Sequence, residues 1–256
     1  MAAPLLKSHE RFNELHLLIS QGKELDLWTF RGTCNEFKDD FSVHGQLVIA
    51  LAHIAHGKID EGLARIEALL SCNDYEIARL YCMYLSKYSK LDKLDECIYS
   101  LSDQFASKEL SYRAGGTAFL MGRISLCRTH LLRHASMLSE EEGRANAEAF
   151  MNEMIDDMNE AYKASGCTLE QYSTLAITMF SIAEKFGYNR ISAGVSGRHG
   201  GSYTIELPEA TPVTVAEMND VLADTLATID SLDNCNLIAR FSVERPQVGG
   251  ASYDYL

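Results

Sequence analysis

Four short stretches decide how this chain folds: Gly22-Lys23-Glu24-Leu25, Gly57-Lys58-Ile59-Asp60, Ser89-Lys90-Leu91-Asp92 and Gly122-Arg123-Ile124-Ser125. Each places a small residue directly before a basic one, and an aliphatic residue follows one or two positions later. The stretches start at positions 22, 57, 89 and 122, so they recur every 32 to 35 residues. Recurrence at this period is typical of helical repeat arrays.

Apolar residues with helical spacing flank these stretches. The segment after Gly57 places four aliphatic residues on one helix face: Leu63, Ile66, Leu69 and Leu70. A glycine between two helices supplies the left-handed conformation that ends the first helix. Short connections make neighbouring helices antiparallel. The sequence therefore predicts a stack of antiparallel helical hairpins, with a tight turn at each of the four stretches.

The pattern resembles the tetratricopeptide repeat, whose period is 34 residues, over about residues 8–138. Seven positions before the turn that family packs a small residue, and here stand Ala50, Cys82 and Gly115. Nine positions after the turn it has a large apolar residue, matched by Ile66, Ile98 and Leu131. The closing proline of the family is absent from every repeat. Another helical hairpin stack and an unrelated helical bundle are the alternatives.

The resemblance implies a concave groove lined by the first helix of each hairpin, which would hold another protein or a peptide. The positions expected to face it are His44, Leu47, Leu51, Glu76, Arg79, Met83, Glu109, Tyr112 and Phe119. The leading hypothesis is therefore a non-enzymatic protein–protein interaction module: a scaffold, an adaptor, an assembly chaperone or a subunit of a larger complex.

The composition changes toward the C-terminus. We predict a helical repeat domain over 1–190, a Gly/Ser-rich linker or loop over 191–202, a β-α-β unit over 203–246 and a mobile tail over 247–256. The fold class is thus mainly α, a helical-hairpin array followed by a small β-α-β unit. Two strands are too few for an independent sheet. The unit must lean on the helices, on its own copy in a homo-oligomer, or on a partner's strand.

Charge and cysteine content exclude several functional classes. The net charge of −13 argues against nucleic acid and against anionic membrane surfaces as partners. Seven scattered cysteines without CxxC spacing fit free thiols in a reducing compartment, so the cytoplasm is the expected location. No apolar run approaches the roughly 20 residues that span a bilayer, so membrane insertion is not expected.

The region after the repeats has two distinctive features, an acidic segment and a helix face that carries methionines. Residues 138–171 contain nine acidic and two basic residues, which can dock a basic partner segment, although a solvated surface is the commoner outcome. Met151, Met154 and Met158 share one helix face, a spacing typical of core that can also form an adaptable groove.

No catalytic motif, metal site or cofactor is predicted. His130 and His134 have the i, i+4 spacing of a metal-binding pair, but no further ligand lies near them in sequence. The runner-up hypothesis is an enzyme or ligand-binding regulator. Its site would lie between the helices and the C-terminal unit, where Arg198 and His199 sit in a glycine-rich stretch.

Overall fold

The computed structural model describes residues 7–188 and 191–244. Over these residues eleven α-helices and three short strands occur, which confirms the mainly α class. The helices are α1 (Lys7–Ser20), α2 (Leu27–Phe37), α3 (Val43–Ala55), α4 (Ile59–Leu69), α5 (Tyr75–Lys87), α6 (Leu91–Phe105), α7 (Lys108–Leu120), α8 (Ile124–Ser136), α9 (Arg144–Ser165), α10 (Leu169–Lys185) and α11 (Pro212–Leu226). The strands are β1 (Ser192–Ser196), β2 (Ser202–Leu207) and β3 (Ile238–Val243).

Contacts divide the chain into two compact units, the first ending at Tyr84 and the second beginning at Leu85. This division differs from the one at residue 190 that the composition suggests. No helix within the described ranges combines the length and apolarity that crossing a bilayer requires.

In unit 1, α3 is the central helix and packs against α1, α2 and α4. Its residues from Leu47 to Ala55 are buried without exception. Gly62 on α4 has no room for a side chain, because a Cβ there would lie 2.7 Å from the carbonyl oxygen of Ala50. A small residue at each of these two positions lets α3 and α4 approach closely.

In unit 2, α7 packs against α6, α8 and α9, and the three strands join the same core. Gly115 on α7 faces Leu131 on α8, whose side chain occupies the space that a Cβ would need. Tyr172 of α10 lies at the centre of this core, with its ring centroid 5.5 Å from that of Tyr162 and 5.2 Å from that of Tyr203. These aromatic contacts connect α9, α10 and β2.

The predicted turns are confirmed at all four positions. Gly22, Gly57 and Gly122 have φ of 66°, 81° and 75°, and Ser89 has φ of 54°. Glycine adopts this left-handed conformation readily, whereas a serine is disfavoured there. At the two turns of unit 2, the basic residue that follows the turn forms an ion pair. Lys90 pairs with Glu184 at 2.7 Å, and Arg123 pairs with Asp95 at 2.7 Å.

The prediction of a linker or loop over 191–202 is wrong for residues 192–196, which form β1, and for Ser202, which begins β2. Strand β1 pairs antiparallel with β2, and β2 pairs parallel with β3 across α11, as the predicted β-α-β unit requires. The glycines of the stretch serve close packing: a Cβ at Gly197 would lie 2.6 Å from the Cβ of Glu160 on α9, and one at Gly201 would lie 3.0 Å from the carbonyl oxygen of Ala161. The sequence did not predict strand β1, because its residues are mostly small and show no alternation of large apolar and polar side chains.

The sheet therefore obtains its third strand from this chain and packs its apolar face on the helices of unit 2. Homo-oligomerisation through the C-terminal unit stays a prediction. The predicted mobile tail, 247–256, lies outside the described residues.

Candidate functional site

A cavity of about 620 Å³ lies within unit 2, and we call it the main cavity. Side chains from the end of α5, from α6 to α10 and from β1 line it. The apolar part of the lining includes Leu91, Tyr112, Phe119, Phe150, Met154 and Phe180. Cavities of this size and character commonly bind ligands or anchor side chains of partners.

A second depression of about 430 Å³ adjoins the main cavity. The two share five lining residues: Ser86, Ser89, Leu120, Phe180 and Ala193. The adjoining depression extends toward Pro208 and Glu244 at the C-terminal ends of β2 and β3. Together they form an elongated binding surface.

One cation in the main cavity is already paired. Arg113 on α7 donates from Nε and Nη2 to Oε1 of Glu109 at 3.3 Å, and the two side chains are only 15% and 19% exposed. The pair presents little net charge to the cavity.

Asp157 on α9 is the unpaired acid of the main cavity. Its carboxylate makes no hydrogen bond or ion pair with another described residue. Burial and the nearby carboxylates of Glu153, Glu160 and Asp156 raise the pKa of Asp157, while Arg198 partly opposes this. Since like charges and desolvation both destabilise the anion, a cation placed there would be favoured.

The predicted groove positions in unit 2 lie at the main cavity. Tyr112 and Phe119 line it directly, and Glu109 is held by Arg113, which also lines it. Sequence patterns missed Asp157 and Phe150, although the acidic segment 138–171 pointed to the helix that carries both. Of the methionines on that helix, Met151 and Met158 are core and only Met154 reaches the cavity.

The predicted groove positions in unit 1 separate into two groups. Leu47 and Leu51 are 4% and 0% exposed, which corrects the expectation that they face a groove. They are buried because α3 is packed by α1, α2 and α4 at once.

The other predicted groove positions in unit 1 are more exposed to solvent than these two leucines. Glu76 and Arg79 form an ion pair at 2.9 Å on α5, and the ring of His44 lies 3.9 Å from that of His9. Met83 is half-buried.

Arg198 and His199 do not line the main cavity. They lie in the β1–β2 hairpin and border a separate depression of about 380 Å³ on the opposite side of β1. Gly194 and Val195 of β1 contact both spaces, so this strand is the wall between them.

The His130 and His134 pair connects helices. His130 Nδ1 lies 3.2 Å from the hydroxyl of Ser102 on α6, and His134 Nδ1 lies 2.9 Å from the carbonyl oxygen of Lys108 on α7. Both imidazoles are almost fully buried, and burial lowers their pKa. Within the described residues no group of three or more His, Cys, Asp or Glu side chains could hold a metal ion.

We predict that the stability of unit 2 falls as the pH decreases below the ordinary histidine pKa of about 6.5. Because the folded-state pKa of His134 is lowered, the unfolded state takes up a proton first, and acid favours unfolding. Replacement of His134 by Asn keeps a donor for the Lys108 carbonyl and removes the titration. The free energy of unfolding, measured between pH 7.5 and 5.5 by urea titration, should then depend less on pH. An equal or steeper dependence in H134N would contradict the assignment.

Comparisons of this chain with protein-family models, with curated proteins and with solved structures find no match.

Proposed function

We propose that unit 2 is a non-enzymatic interaction module that binds an apolar, positively charged segment of a partner protein. The observation that carries the proposal is the main cavity and its adjoining depression. The apolar lining of the main cavity, extended by the adjoining depression, suits a chain segment with successive anchor side chains better than one compact ligand.

Charge supports a basic segment. The acidic group without a partner, Asp157, lies at the cavity together with Glu153, whereas the one arginine of the lining is neutralised by Glu109. A lysine or arginine of the partner would stabilise the Asp157 carboxylate, whose pKa is raised by burial and then by the neighbouring carboxylates. An acidic segment would meet the same repulsion.

Gly116 on α7 provides a sharp test, because it lines the main cavity and a Cβ there would meet nothing within 4 Å. A leucine fills part of the cavity and also has a higher helix propensity, by roughly 1 kcal/mol. Folding should therefore survive while binding is blocked. Gly32 on α2, in unit 1, also has open space around it and does not line the main cavity, so G32L is the matched control.

The probe is a fluorescein-labelled amphipathic peptide of leucine and lysine, with a leucine and glutamate peptide of the same pattern for comparison. We expect fluorescence anisotropy to show that G116L weakens binding of the lysine peptide by about tenfold or more, or ~1.4 kcal/mol. D157N should weaken it by a smaller factor, and G32L should not change it. Equal affinity of the two peptides, or unchanged affinity in G116L, would contradict the proposal.

A further inference from the structure

The three-stranded sheet has a polar face that the proposed function does not use. Its strand register aligns Ser196, Ser202 and Ile238 in one row and Gly194, Thr204 and Arg240 in the next. The opposite face, with Tyr203, Ile205 and Phe241, is buried in the core of unit 2. The polar face and the β1–β2 hairpin together form the depression of about 380 Å³, which we call the sheet depression.

A missing side chain helps to form the sheet depression. Gly194 stands beside Thr204, and a Cβ at Gly194 would meet nothing within 4 Å. The row that ends in Arg240 therefore has open space at its other end. The volume is that of a small-molecule site.

Two arginines converge on this space from separate parts of the chain. Arg198 comes from the hairpin and Arg240 from β3, and neither forms an ion pair within the described part of the chain. His199 borders the space too, and Glu206 is the one carboxylate in the lining. A pair of arginines here is notable in a chain whose net charge is −13, because it is a local reversal of sign.

The guanidinium of Arg240 and the hydroxyl of Ser196 are held in place by hydrogen bonds within the protein. Arg240 donates from Nε to the hydroxyl of Thr204 at 3.2 Å, which directs its terminal nitrogens away from that bond. The backbone N–H of Arg198 donates to the hydroxyl of Ser196 at 3.2 Å, so the hydroxyl hydrogen of Ser196 remains to donate. Because Gly197 and Gly201 have no side chains, the backbone of the hairpin packs directly against α9. Preorganised donors lower the entropic penalty of binding.

We propose that the sheet depression binds a small phosphomonoester. Arg198 and Arg240 would donate hydrogen bonds to the phosphate oxygens, as the planar guanidinium group does in bidentate contacts. The hydroxyls of Ser196 and Ser202 would add donors. Ile238, which is 50% exposed beside them, offers an apolar surface for the organic group of the ester. This site is distinct from the main cavity and does not depend on the peptide being bound there.

Binding of phenyl phosphate and of inorganic phosphate to the whole chain tests the proposal, by NMR of the backbone amides at constant ionic strength. We expect shifts concentrated at residues 194–204 and 238–240, and tighter binding of phenyl phosphate than of inorganic phosphate. R198Q combined with R240Q should weaken phenyl phosphate binding by about tenfold or more. Both arginines are exposed, so the thermal unfolding midpoint should change little.

The matched control is R128Q, which removes an exposed arginine of α8 outside the sheet depression. It should leave the affinity unchanged. An equal loss in R128Q would show that only net charge matters, and unchanged affinity in the double variant would show that the site is elsewhere. Either result overturns the proposal, as does the absence of saturable shifts at about 10 mM phenyl phosphate.

Discussion

Replacement of Gly122 by alanine is expected to destabilise unit 2 by about 2–5 kcal/mol. Two effects add at this turn between α7 and α8. The backbone has φ of +75°, which an alanine adopts at a penalty of about 1–2 kcal/mol. The new Cβ would also lie 2.5 Å from the hydroxyl oxygen of Tyr162 and 2.6 Å from the ring of Tyr172.

Neither tyrosine can move aside without losing a hydrogen bond. Tyr162 donates its hydroxyl to the carbonyl oxygen of Gly122 at 2.9 Å, and Tyr172 donates to that of Phe119 at 3.2 Å. Tyr172 is also fully buried and contacts Tyr203. The cost of overpacking, typically about 1–3 kcal/mol, therefore adds to the backbone strain.

Gly187 is the control for strain alone. It follows α10 in the same unit with φ of +83°, and a Cβ there would meet nothing within 4 Å. G187A should lose only about 1–2 kcal/mol. The single tryptophan, Trp28, lies in unit 1, so native-state hydrogen exchange of the α10 amides is the better measurement. Equal losses in G122A and G187A would contradict the packing that we describe.

Replacement of Arg123 by methionine should destabilise unit 2 by about 2–3 kcal/mol. Arg123 donates from Nε and Nη2 to both oxygens of Asp95, at 3.0 and 2.7 Å. The Asp95 side chain is 9% exposed, so loss of the guanidinium leaves a buried carboxylate with the Tyr99 hydroxyl as a remaining donor, at 2.6 Å. We place the effect below that of a fully buried pair because the Arg123 side chain is 34% exposed.

A double-mutant cycle separates the ion pair from general loss of packing. If the uncompensated carboxylate causes the effect, D95N combined with R123M should be less destabilising than the sum of the single changes. R128M removes an exposed arginine from α8, the helix that Arg123 directly precedes, and should change the free energy of unfolding by less than about 0.5 kcal/mol. Strict additivity of D95N and R123M would show that the pair contributes no coupling energy.

The local turn chemistry was predictable from the sequence. Left-handed backbone at Gly22, Gly57, Ser89 and Gly122 follows from a small residue between two amphipathic segments, because the chain must reverse within a few residues. The β-α-β unit was predictable for the same reason, since β2 and β3 and the helix between them each follow from the pattern of neighbouring residues. Each of these features depends on neighbouring residues alone, and periodicity records such neighbours directly.

The binding surfaces depended on contacts between distant segments. Leu47 and Tyr112 have the same apolar character in the predicted groove, yet one is buried by three neighbouring helices and the other lines the main cavity. Only packing distinguishes them. The same is true of Asp157, whose pKa is raised first by burial, which only the tertiary structure decides, and then by the nearby carboxylates of α9.

The glycine-rich stretch from Gly194 to Gly201 shows the division most clearly. Composition made it resemble a linker, because glycine and serine carry no apolar pattern. In the folded chain Gly197 and Gly201 are the close contacts of the hairpin with α9, and Gly194 leaves the opening of the sheet depression. What a glycine does depends on the atoms that approach it, and these belong to residues remote in sequence. Helices, turns and fold class were therefore local properties, whereas both proposed sites exist only through tertiary contacts.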